Sequence, residues 1–80
     1  MALKLKIVSP EKVVFDDVVE SVVVPGTMGQ FEILEHHAPI ISTLEKGNVV
    51  YKTKEGEQSF AITGGFVTVK KNQVNVCVEI

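Results

Sequence analysis

Hydrophobic side chains in this chain recur every second residue. Leu3, Leu5 and Ile7 alternate with Lys4 and Lys6, and Val74, Val76 and Val78 alternate with Gln73, Asn75 and Cys77. A two-residue period puts one set on a buried face of an extended strand and the other in solvent. No stretch sustains a helical apolar period beyond two turns. Fifteen valines and six isoleucines reinforce the pattern, because β-branched side chains are stiff at χ1 and fit a pleated sheet better than a helix.

Breaks in the alternation divide the chain. Ser9-Pro10 ends the first strand, since proline lacks an N–H for a ladder. Val13 to Phe15 read as a short strand closed by a turn at Asp16 and Asp17. The aliphatic run from Val18 to Val24, interrupted by Glu20 and Ser21, predicts a strand covered on both faces. Pro25-Gly26-Thr27-Met28-Gly29 turns the chain into a hairpin with Gln30 to Leu34. Glu35 to Pro39 form a loop before a short strand, Ile40 to Leu44. Val49 to Thr53 and Gln58 to Thr63 flank a charged tip, and Gly64-Gly65 separates the latter from Phe66 to Lys70. Lys71-Asn72 then turns into the last strand. The expected fold is all-β, a two-sheet antiparallel sandwich or a flattened barrel of eight to ten short strands, with residues 1–80 forming one domain.

At 80 residues and 45% hydrophobic content, the chain is too apolar for disorder and too short for two domains. Ten acidic against eight basic residues leave a net charge of −2, so nothing electrostatic favours nucleic acid or anionic lipid. With Cys77 the sole cysteine, no intrachain disulfide is possible, which suits a reducing compartment. The alternating start and the lack of an 18-residue apolar run predict no signal peptide, transit peptide or membrane insertion.

Chemistry is sparse. His36-His37 is the first place to look for a metal, with oxygens from Glu32 and Glu35, but adjacent residues in extended chain point apart and no further His or Cys lies close by. No serine sits in a nucleophile elbow, and Cys77 lies in an alternating strand. The glycine turns precede strands, whereas a phosphate loop needs a helix N-terminus. No catalytic residue, metal or cofactor is expected. Phe31 beside its glycine turn and Ile40-Ile41 beside their polar loop are placed as interface residues often are, although Phe31 and Ile40 would equally serve to complete the core.

The succession Leu5 to Ser9, the Phe15 turn, Val22 to Gly26, Gly29-x-Phe31-x-Ile33-x(3)-His37-Ala38-Pro39, Lys46-Gly47 and Thr63-Gly64-Gly65-Phe66 with Val74 and Val76 resembles the N-terminal β-sandwich of the ε subunit of F-type ATP synthase, called δ in mitochondria. The resemblance covers nearly the whole chain and implies a flattened antiparallel β-sandwich of about ten short strands. It implies a non-catalytic rotor subunit at the foot of the central stalk, coupling c-ring rotation to the γ subunit in a complex with α and β. It also implies a peripheral place in the F1 sector, at the cytoplasmic face of the bacterial inner membrane. Position by position, Gly29, Gln30 and Phe31 match the tip that meets the c-ring, and Ser9, His37 and Ser42 match the side toward γ. Gln30 stands where the family commonly has an acidic residue, which would replace a charge-assisted contact with a neutral one of roughly half the strength. Glu32 and Glu35 stand where glycine and proline are common. Many members continue into two regulatory helices, so a chain ending at Ile80 is expected to lack ATP sensing and helical autoinhibition. The competing reading is a lipoyl- or biotinyl-carrier sandwich displaying Lys54 or Lys71 at a hairpin tip, although neither lies in an M-K-M or D-K-A context.

Overall fold

A computed structural model describes residues 3–79. Among them are nine strands: β1 (Leu3–Val8), β2 (Val13–Val19), β3 (Ser21–Gly26), β4 (Gly29–Ile33), β5 (Ile40–Leu44), β6 (Gly47–Thr53), β7 (Gly56–Ile62), β8 (Gly64–Lys70) and β9 (Gln73–Glu79). The all-β expectation holds. One continuous ladder runs β2-β1-β9-β8-β5-β3-β6-β7, with β4 on the free side of β3. All pairs are antiparallel except β1 with β9, which run parallel.

The ladder curls into two layers, β2-β1-β9-β8-β5 and β4-β3-β6-β7. Their junction is the single pair Gly26↔Leu44, reinforced by Thr27 N–H donating to the Thr43 carbonyl at 3.1 Å and Glu45 N–H to the Pro25 carbonyl at 2.9 Å. An extent of 19 Å along the shortest axis fits two sheets stacked about 10 Å apart with their outer side chains.

The alternating residues fill the space between the layers. Leu3, Leu5 and Ile7 of β1, Val67 and Val69 of β8, and Val74, Val76 and Val78 of β9 meet Val22, Val24, Ile33, Val49 and Ile62 from the other layer. No polar or charged side chain is buried among the described residues, so hydrophobic transfer and close packing hold the layers together. Phe31 and Ile40 pack against this core.

Three local expectations are corrected. Asp16 and Asp17 do not turn the chain; they lie inside β2, opposite Lys6 and Leu5. This is tolerated because β2 is an edge strand, where charges also discourage pairing with other molecules. The run Val18 to Val24 is not one strand covered on both faces. It breaks at Glu20, whose N–H donates to the Lys52 carbonyl at 2.7 Å as the chain crosses between layers, and Val18 is half-exposed. Gly64 and Gly65 do not separate strands but open β8. A Cβ on Gly65 would lie 2.1 Å from the Cys77 carbonyl oxygen, so the glycine permits a close approach to β9. The break falls at Thr63, whose N–H and hydroxyl both donate to the Glu79 carbonyl, at 2.8 and 3.0 Å.

Candidate partner-docking surface

The β3–β4 turn is two residues long, Thr27-Met28, closed by Gly26 opposite Gly29. Gly29 has φ +129°, outside the range of ordinary side chains. The Thr27 and Thr43 hydroxyls lie 2.8 Å apart and fasten the tip to β5. Of the three residues matched to a ring contact, Gly29 and Gln30 are exposed, whereas Phe31 is half-buried with its ring over Gly26, where a Cβ would come within 2.9 Å of it. Phe31 supports the tip from below. Its most exposed side chain is Met28, 98% accessible, which the sequence reading passed over as a turn residue.

Ser9, His37 and Ser42 are not brought together. Ser9 closes the β1–β2 turn, its N–H donating to the Lys12 carbonyl at 2.8 Å and its Oγ accepting from Lys12 N–H at 3.3 Å. His37 is held in its loop by its N–H to the Leu34 carbonyl at 3.2 Å, with Nδ1 2.9 Å from the Ala38 carbonyl. Ser42 sits mid-β5, half-buried on the side of Ile40 and Leu44, and its hydroxyl donates to the Thr43 carbonyl at 3.1 Å. No hydrogen bond joins any two of them.

Ser42 faces the inner side of its layer and the His37 loop lies at the Asn72 end, whereas Ser9 follows Val8, which belongs to a row of side chains across the outer face. Register places Val13, Val8, Cys77, Phe66 and Thr43 in one row across all five strands of the first layer, on its outer face. Ile41, one residue out of phase with Ile40, is 81% exposed beside the row, and Phe66 is 46% exposed. Sequence reasoning pointed to Ile41 but missed Phe66 and Val13, though at Phe66 parity held the signal, since it is out of step with buried Val67. A large exposed apolar patch marks an interface more often than a scattered residue does.

At the other end of this face, the β8–β9 turn carries Lys71 and Asn72 at φ +49° and +60°, a conformation Asn accepts readily. Among the described residues no three His, Cys, Asp or Glu gather as metal ligands do. On the open side of the sandwich, a cleft of about 840 Å³ is floored by Phe15 and Tyr51, whose ring centroids lie 4.4 Å apart.

The two-layer β-body thus exposes large apolar side chains on the outer face of one layer. The chain belongs to the family described as ATP synthase, Delta/Epsilon chain, beta-sandwich domain, whose family model matches residues 2–80. It is 40% identical over 79 residues to the ATP synthase epsilon chain of Prochloron didemni, covering 99% of this chain and 58% of that protein. With the chloroplastic epsilon chain of Tetradesmus obliquus it shares 40% identity over 76 residues, covering 95% of this chain and 56% of that protein. The chain thus spans little more than half the length of these relatives. The fold matches a chain in the cryo-EM structure of the Euglena gracilis mitochondrial ATP synthase, OSCP/F1/c-ring, with TM-score 0.90 and 18% identity over 96% of this chain and 50% of that one. It also matches a chain of the Tetrahymena thermophila mitochondrial ATP synthase central stalk and c-ring, with TM-score 0.85 and 17% identity over 100% of this chain and 65% of that one.

Proposed function

We propose that this chain is a non-catalytic rotor subunit in the central stalk of an F-type ATP synthase, joining the γ subunit to the c-ring within a complex with α and β. Family membership across residues 2–80 carries the reading. The face toward γ is the outer face of the first layer, carrying Ile41 and Phe66, with Ser9 at one end and the His37 loop at the other; Ser42, turned to the inner side of β5, lies behind it. The tip toward the ring is Gly29 and Gln30 with Met28, propped by Phe31. Torque transfer needs a body that does not deform, and a close-packed core of stiff valines supplies one. Ion flow through the ring would turn γ through this clamp, with the subunit held peripherally at the cytoplasmic face of a bacterial inner membrane.

The test is co-purification. Tagged protein drawn from its native cells should bring γ, α and β with it, and Phe66→Asp should release them. A preparation free of γ would contradict the proposal.

A further inference from the structure

We propose that the basic end of the same outer face is a groove that binds an acidic peptide segment of the γ subunit; this rests on the rotor reading above. Two adjoining hollows share Lys4 and Gln73, one of about 780 Å³ under the His36 to Pro39 loop and one of about 180 Å³ between β1 and β9. Together they present Lys4, Lys6, Lys71, His36 and His37 against one carboxylate, Asp16. The whole chain has ten acidic and eight basic residues, so three of eight cations and one of ten carboxylates reverse its overall balance. Asp16 partly offsets Lys4 across 3.8 Å, and Lys6 and Lys71 form no ion pair among the described residues.

The array is built around one residue. Asn72 accepts Lys4 N–H on its backbone carbonyl at 2.8 Å and His36 N–H on its side-chain oxygen at 2.7 Å. The start of β1, the histidine loop and the β8–β9 turn, which carry four of the five basic groups, are therefore tied together. His36 itself lies at φ +64°, a left-handed conformation that histidine accepts more readily than most residues. The backbone segments that carry the charges are already ordered before they meet carboxylates, which lowers the cost of binding.

Charge complementarity selects an acidic occupant, and continuity selects its source. Lys4 and Lys6 share the outer side of β1 with Val8, which lies about 13 Å from Lys4 and about 7 Å from Lys6 at strand spacing, so one partner surface spans both ends. Apolar contact would supply affinity, and the basic end would set orientation and encounter rate.

The experiment measures binding of this chain to purified γ subunit at low and high salt. Wild-type protein should associate about tenfold more slowly at high salt, as steered encounters do. Lys4→Gln with Lys71→Gln should remove most of that dependence, whereas Lys52→Gln with Lys54→Gln, equal in charge change but placed elsewhere, should retain it. Salt-independent binding by wild type, or identical behaviour of the two double variants, overturns the groove and leaves the rotor reading intact. Phe66→Asp tests the apolar dock separately: wild-type affinity in that variant contradicts the dock whatever the lysines do. Absence of any wild-type binding to γ overturns both.

Discussion

The two layers are built from the same alternating pattern, yet their outer faces differ. On the second layer the outward positions of β3, β4, β6 and β7 hold Ser21, Gln30, Glu32, Lys52, Glu57 and Ser59, with Val23 and Val50 only half-buried among them. On the first, all four large hydrophobic residues that are exposed on strands are found: Val13, Val18, Ile41 and Phe66. Both inner faces are equally apolar, so the difference does not come from folding. Stability requires one buried face per layer, and beyond that need the first layer alone exposes large apolar side chains, beside the polar Lys4, Lys6, Gln73 and Asn75.

The sharpest way to break this comparison uses two neighbours on β8. Val67 is fully buried and Phe66, beside it, is half-exposed. Val67→Asp should abolish folding, since an unpaired buried carboxylate costs several kcal/mol in a domain whose total stability is only about 5–15 kcal/mol; loss of the cooperative thermal transition would show it. Phe66→Asp should leave a cooperative transition while lowering affinity for γ at least about 30-fold, as removal of a central interface anchor does. Ser59→Asp, its counterpart on the second layer, should leave that affinity unchanged.

Smaller effects sharpen the picture at the basic end. Asn72→Gly preserves the left-handed turn but removes the bond to His36 N–H, and should cost about 1 kcal/mol in denaturant unfolding. Asp16→Asn removes the exposed pair with Lys4 and should change stability by about 0.5 kcal/mol or less.

The core was legible in sequence because its signal is local. Leu5, Val74 and Val76 lie in runs whose parity alone assigns them inward. The corner at Glu20 was not legible, because a strand that leaves an edge and crosses to the other layer needs no glycine or proline there. Asp16-Asp17 reads as a turn by composition, and only the edge position of β2 makes it acceptable within a strand. The parallel pairing of β1 with β9 joins the two ends of the chain and leaves no local trace. At the site, resemblance supplied Ser9, His37 and Ser42 as separate positions. The outer-face row of Val8, Cys77 and Phe66 was not legible, because it is contributed by three strands whose adjacency depends on topology.

Thiol labelling measures most directly whether the first layer's outer face is the covered one. In a Cys77→Ala background, Ile41→Cys and Ser59→Cys place one reactive thiol on each outer face. Binding of γ should shield the thiol at position 41 and leave the one at position 59 as reactive as in the free protein. Equal reactivity at position 41 with and without bound γ, or shielding at position 59 alone, would contradict the account.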